Sequence, residues 1–116
     1  MASPQTYDAL GTYLAVSAIG DAIPLPIVAQ VLDAINFPER YRWIFAPIKA
    51  AAAVGLFSAR WFPALTRLTT ALLTVYFILA VGFHVKARDL SAAAVGAAAN
   101  AAIFAALTAK KSAVSR

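Results

Sequence analysis

The chain has 116 residues, of which 62% are hydrophobic and 13% charged, with a net charge of +5. Soluble domains average ~45–50% apolar and ~25% charged residues, so this composition excludes an ordinary water-soluble fold and indicates an integral membrane protein. The sequence has no cysteine, which excludes disulfides, thiol redox chemistry and thiolate metal sites within it. Its basic residues stand at the ends of apolar runs, where they serve as interface anchors, and this placement argues against nucleic-acid binding.

The first apolar stretch covers about 7–35 and is too long for one straight span, because ~17–25 residues suffice to cross the hydrocarbon. Pro24 and Pro26 interrupt it, since proline lacks the N–H that a helix needs. We therefore predict a first helix that is broken near these prolines. The carbonyls of Gly20 and Ala22, which lose their donors, belong either to a structural kink or to a cation site like those of broken transporter helices.

Three further apolar stretches follow, at about 42–57, 64–85 and 90–109. The last two have the length of a span. The first of the three is short, and Tyr41, Trp43 and Trp61 are expected to complete it at its edges. The predicted fold is all-α, an integral membrane four-helix bundle.

The four spans are predicted to form one transmembrane domain over 1–110, followed by a flexible basic tail at 111–116. An even number of spans puts both termini on the same side of the membrane. The lysines and arginines expected on that side are Arg60, Arg67, Lys110, Lys111 and Arg116, and those on the other are Arg40, Arg42, Lys86 and Arg88. The positive-inside rule favours cytoplasmic termini by one charge.

Five of the polar side chains inside the predicted spans are candidate site residues, namely Asp21, Lys49, Tyr76, His84 and Asn100. Each is expected to face the bundle interior, because a charge at the bilayer centre costs ~2.5–3.5 kcal/mol on insertion scales. A rise of ~1.5 Å per residue places Lys49, Tyr76 and Asn100 at similar depths, roughly 12–15 Å from one surface. We therefore predict an intramembrane polar pocket built from several helices.

Lys49 needs an acidic partner at this depth, and the preceding span offers Asp21 and Asp33. Such a pair either fixes the helix register or belongs to a site that binds or relays something. His84 is either an interfacial hydrogen-bonding residue or a proton switch. It is the single histidine of the sequence, which excludes a bis-histidine haem, and no metal site is predicted. Asn100 is expected to hydrogen-bond between helices.

Small residues recur four apart in two of the predicted spans. Ala51 with Gly55, and Ala92 with Gly96, form small-xxx-small pairs that allow the backbones of two helices to approach closely. These pairs predict either a tight four-helix core or a dimer face.

Three segments carry a family resemblance. They are the Asn36-Phe37-Pro38 turn, IKAAAAVGL at 48–56 and AVGFHVKARD at 80–89. With four spans in a chain of this length, the sequence resembles the DoxX-like family of small bacterial membrane proteins. The resemblance implies a multi-pass protein of the bacterial plasma (inner) membrane. It singles out Lys49 and His84, together with Lys86 and Asp89 in the loop that follows the third span.

The resemblance also implies a link to oxidoreductase assemblies and quinone-associated complexes. Our leading hypothesis is a non-catalytic accessory or binding subunit with no cofactor of its own. It would sit in the lipid bilayer, associate with a protein partner or a second copy of itself, and take a quinone or lipid-like ligand in the polar pocket. The alternative is a small proton-coupled multidrug-type exporter that uses Asp21. No nucleophile–base pair, metal cluster or phosphate loop marks an enzyme, and no catalytic residues are assigned.

Overall fold

The computed structural model describes residues 3–23 and 25–110, and every regular element within those ranges is helical. The five α-helices are α1 (Pro4–Ala22), α2 (Pro26–Ala34), α3 (Phe45–Phe57), α4 (Pro63–Lys86) and α5 (Ala92–Ala109). Helix α1 packs on α3, α3 on α4, and α4 on α5, which gives a four-helix bundle with α2 outside it. The predicted all-α fold is confirmed. The longest dimension of 43 Å matches a bilayer of ~40–45 Å with its headgroups.

Helices α4 and α5 are each long and apolar enough to cross a membrane, and α1 with α2 adds a third crossing if the bent pair is one span. Helix α3 has 13 residues and is therefore only ~20 Å long. A 3₁₀ segment, Glu39–Ile44, leads directly into α3 and adds ~12 Å. The stretch predicted as the second span is thus a 3₁₀–α composite whose combined length approaches the ~30 Å hydrocarbon core. The four-span domain over 1–110 stays a prediction, and the tail at 111–116 lies outside the described residues.

The first helix is broken, as the prolines predicted. Helix α1 ends at Ala22, α2 begins at Pro26, and the two axes meet at 88°. Pro26 occupies the first turn of α2, where its missing N–H leaves no hydrogen bond unmade. Pro24 lies outside the described residues. The expectation of a free Gly20 carbonyl is wrong, because it accepts a hydrogen bond from the Leu25 N–H at 3.2 Å.

The break directs α2 across one end of the bundle. None of its residues is buried, and its C-terminus is closed by a Schellman turn in which Asn36 has a φ of 59° and the Phe37 N–H bonds the Leu32 carbonyl at 3.0 Å. Arg42 holds this turn, because its guanidinium donates to the Phe37 carbonyl at 2.7 Å and to Asp33 at 2.9 Å. The sequence alone had offered Asp33 as a partner for Lys49, and the structure gives it to Arg42.

The opposite half of the bundle is tightly packed. The Thr66 hydroxyl donates to the Gly55 carbonyl at 2.8 Å, and a Cβ added to Gly55 would overlap the Thr69 side chain. Gly55 thus makes the close contact expected of a small residue, whereas Ala51, the other member of the predicted pair, is exposed. The second pair behaves differently, because a Cβ on Gly96 would meet no atom within 4 Å. The prediction of a close contact at Gly96 is therefore wrong for this chain, and that glycine instead lines a cavity.

Candidate functional site: a polar pocket beneath α2

A cavity of about 740 Å³ lies in the half of the bundle that α2 crosses. All five helices contribute to its wall, and the volume falls within the ~300–1,000 Å³ typical of small-molecule sites. Most of the lining side chains are apolar. The polar ones are Tyr13, Ser17, Asp21, Lys49, Tyr76, His84 and Asn100. All five intramembrane polar residues predicted from the sequence thus border one space.

An ion pair that borders the pocket joins α1 to α3. The Lys49 ammonium lies 2.9 Å from Asp21 Oδ2, with side-chain exposures of 16% and 6%, and it donates a hydrogen bond to the Ser17 hydroxyl at 2.8 Å. Asp21 stands in the last turn of α1, where the helix dipole disfavours a negative charge, and the nearby ammonium offsets that effect. Because a buried charge is costly unless it is paired, each member of this pair depends on the other.

Two polar residues of the pocket were missed at the level of sequence. Tyr13 and Ser17 precede Asp21 at intervals of four, so all three project from one face of α1. The spacing is a readable signal, although hydroxyl side chains in an apolar helix are common and draw little attention. Asn100 of α5 donates to the Tyr13 hydroxyl at 2.9 Å, which is an interhelical hydrogen bond of the kind predicted for it.

Aromatic rings form another part of the wall. Phe45 packs at 4.9 Å from Phe37 and at 6.1 Å, edge to face, from Tyr76. Tyr76 continues to Phe77 at 5.0 Å, and Phe37 also meets Phe83 at 5.4 Å. These tilted and edge-on arrangements are the favoured geometries of aromatic pairs. The cluster therefore places flat apolar surfaces beside the ion pair, because Phe45 lies one helical turn before Lys49.

A second polar contact joins His84 of the pocket wall to the loop that follows α4. The buried His84 donates through Nδ1 to Asp89 Oδ2 at 2.7 Å, and the Ser91 hydroxyl donates to the same oxygen at 3.1 Å. The hydrogen bonds from His84 and Ser91 hold the pKa of Asp89 below its usual value of 3.8. Because Nδ1 bonds a carboxylate, Nε2 is the ring nitrogen left to form a hydrogen bond with a group in the cavity.

Comparison with known proteins identifies the chain at the level of a family. The model of the DoxX-like family matches residues 8–109. The chain belongs to the DoxX-like family. No curated protein and no solved structure matches it.

The four positions that the DoxX-like resemblance singled out separate into two groups. Lys49 and His84 line the pocket. Asp89 stands behind His84 in the loop, and Lys86 is exposed at the end of α4 with no partner among the described residues. In this DoxX-like protein Asp89 thus contacts the pocket through His84, and the functional roles of all four residues stay predictions.

Proposed function

We propose that this DoxX-like protein is a non-catalytic binding subunit of the bacterial inner membrane, whose pocket takes a lipid-like molecule such as a quinone. The observation that carries the proposal is the cavity of about 740 Å³, which has mostly apolar walls and is bordered by the buried Asp21–Lys49 ion pair. A membrane-spanning chain has no need of such a space for stability, because a filled core would pack better. An apolar cavity with a few convergent polar groups is the usual form of a small-molecule site.

The distribution of polar groups favours an amphiphile over a wholly polar or wholly apolar ligand. Asp21 and Lys49 carry opposite charges, so the pair presents hydrogen-bonding groups with no net charge. The inner face of α2 adds aliphatic side chains, including Ile27 and Val31, and the aromatic cluster adds flat surfaces. A neutral head group would meet the pair, and an apolar tail would lie along α2.

Equilibrium binding of an isoprenoid quinone to the full chain in lipid nanodiscs tests the proposal. We expect saturable binding of one molecule per chain. Gly96→Phe should abolish it, because the added ring enters open space that belongs to the cavity. Gly82→Phe is the matched control, since Gly82 also has open space around it but lies outside the cavity. Wild-type protein without saturable binding, or Gly96→Phe that binds like Gly82→Phe, would contradict the proposal.

The subunit role requires a partner, either another protein or a second copy of this chain. Cross-linking in native membranes, followed by purification and mass spectrometry, should recover a defined complex. A chain that is recovered only as a monomer would contradict this part of the proposal.

The orientation proposed with this function has both termini in the cytoplasm. Its support is that Arg60 lies 2.9 Å from Asp8 of α1 and Arg67 donates to the Thr108 carbonyl of α5 at 3.1 Å, so these two basic residues lie near the first turns of α1 and the last turn of α5. Reporter fusions at the C-terminus test the orientation. A fused alkaline phosphatase should be inactive and a fused green fluorescent protein should fluoresce.

The second candidate is a proton-coupled exporter that uses Asp21. Its support is the position of this carboxylate, which is almost fully buried and borders the cavity. The ammonium of Lys49 lies 2.9 Å from this carboxylate as its ion-pair partner, and this contact favours the binding subunit. Proton-linked transport of a cationic dye by proteoliposomes, lost in Asp21→Asn, would establish the exporter, and absence of transport by wild-type protein would exclude it.

A further inference from the structure

We propose that the pocket recognises its amphiphile through a hydroxyl group, which donates a hydrogen bond to Asp21 and accepts one from Lys49, so that the pocket prefers a hydroquinone to the corresponding quinone. This inference rests on the proposed function and narrows it to one chemical form of the head group.

One carboxylate oxygen of Asp21 is buried and lacks a hydrogen-bond donor among the described residues. The side chain is 6% exposed, and Oδ2 accepts no hydrogen bond from any described residue. The Lys49 ammonium is close to this oxygen, at 2.9 Å, but the contact is an ion pair without hydrogen-bond direction. Buried carboxylate oxygens in folded proteins are normally hydrogen-bonded, and leaving one unmet is costly. A ligand that donates a hydrogen bond to Oδ2 would remove this cost.

The matching donor is the Lys49 ammonium. It has three N–H groups, of which one donates to the Ser17 hydroxyl at 2.8 Å. The other two donate to no described residue, so they are available to an acceptor in the cavity. A single hydroxyl group both donates and accepts, and it adds no charge to a pair that is already neutral. A carboxylate or an ammonium would instead introduce a charge that the pair cannot balance. A quinone carbonyl would accept a hydrogen bond from Lys49 but could donate none to Asp21.

The aromatic cluster favours a phenolic hydroxyl over an aliphatic one. Phe45 lies one turn from Lys49 and meets Tyr76 edge to face, so a flat ring bound at the ion pair would lie against aromatic side chains. The Tyr76 hydroxyl is bonded to none of the described residues and borders the same space. We expect it to bond the second oxygen of a hydroquinone.

The test compares three ligands with the same isoprenoid tail, under anaerobic conditions, on the full chain in nanodiscs. They are a hydroquinone, its quinone and an isoprenoid alcohol. A hydrogen bond to a charged group discriminates by ~10-fold or more, so we expect the hydroquinone to bind at least ~10-fold more tightly than the quinone. The alcohol, which has no ring, should bind more weakly than the hydroquinone.

Two variants test whether the preference for hydroquinone over quinone depends on the ion pair. Asp21→Leu combined with Lys49→Met removes both charges together, which keeps a folded protein more readily than either single change. The double variant should bind hydroquinone and quinone with equal affinity. Tyr76→Phe keeps the ion pair and should weaken hydroquinone binding several-fold while the preference remains. Lys86→Met, outside the cavity, should behave as wild type.

The outcomes separate this inference from the proposed function. Equal binding of hydroquinone and quinone to wild-type protein would overturn the hydroxyl contact but not the proposed quinone pocket. An undiminished preference for hydroquinone in the double variant would have the same meaning. Binding of none of the three ligands would overturn both. An alcohol that binds as tightly as the hydroquinone would overturn the assignment to a phenolic ring.

Discussion

The Lys49 ammonium nitrogen lies 2.9 Å from a carboxylate oxygen of Asp21, and this contact ties the end of α1 to α3 beside the cavity. Both side chains are largely buried, so removal of one partner leaves the other as an uncompensated charge. We expect Lys49→Met to lower the free energy of unfolding by about 3–5 kcal/mol. Unfolding in mixed micelles by titration with sodium dodecyl sulfate, followed by circular dichroism, measures the change.

The double variant Asp21→Leu/Lys49→Met is the decisive companion to that measurement. Replacement of a buried ion pair by apolar residues is often neutral or stabilising, so we expect it to recover most of the lost stability. Lys86→Met supplies the control for loss of one positive charge at an exposed position. If Lys49→Met unfolds like Lys86→Met, the ion pair is not a structural element of the bundle.

A second prediction concerns pH and the loop between α4 and α5. Hydrogen bonds from His84 and Ser91 lower the pKa of Asp89 in the folded protein. The ionised carboxylate therefore stabilises the fold at pH values above its unfolded pKa of about 3.9. This contribution is lost as the pH falls through the lower pKa of the folded state. The thermal midpoint of wild-type protein should therefore fall more steeply below about pH 4 than that of Asp89→Asn. Identical curves for the two proteins would refute the contribution of Asp89, and Glu39→Gln, an exposed position, controls for general loss of an acid.

A third prediction follows from the two turns that close α2 and α4. Arg88 has a φ of 55° and Asn36 one of 59°, and each is the left-handed residue of a Schellman turn. Left-handed backbone costs an ordinary residue roughly 1–2 kcal/mol, whereas asparagine tolerates it better. Arg88→Gly should therefore raise the free energy of unfolding by about 1 kcal/mol, and Asn36→Gly should change it less. The same micelle titration compares the two, and a larger gain at Asn36 would contradict the argument.

Much of the fold could be predicted from the sequence, because length and apolar composition specify a span directly. The stretches at 64–85 and 90–109 became α4 and α5 with ends within two residues of the predicted ones. The proline break was also predictable. The direction of α2 was not, because it depends on tertiary contacts such as the Arg42 clamp on the Phe37 carbonyl.

The candidate site was only partly predictable, for a related reason. Charged residues in apolar helices are rare, so Asp21 and Lys49 were evident as interior residues, but which acid pairs with Lys49 depends on how α1 packs on α3. The hydroxyl groups of Tyr13 and Ser17 gave no comparable signal. The cavity likewise depends on how the five helices pack around it, and no local sequence pattern encodes that packing.

The last prediction separates the packed half of the bundle from its open half through two glycines. A Cβ on Gly55 of α3 would overlap the Thr69 side chain of α4, at the point where Thr66 bonds the Gly55 carbonyl. Gly55→Ala should therefore lower the free energy of unfolding by about 1–3 kcal/mol, as overpacking does in other cores. Gly82→Ala places the same methyl group in open space on α4 and should raise the free energy by about 0.5–1 kcal/mol, because alanine favours the helix. Opposite signs at the two positions are the expected result of the micelle titration, and a stabilising Gly55→Ala would show that α3 and α4 are farther apart than the structure places them.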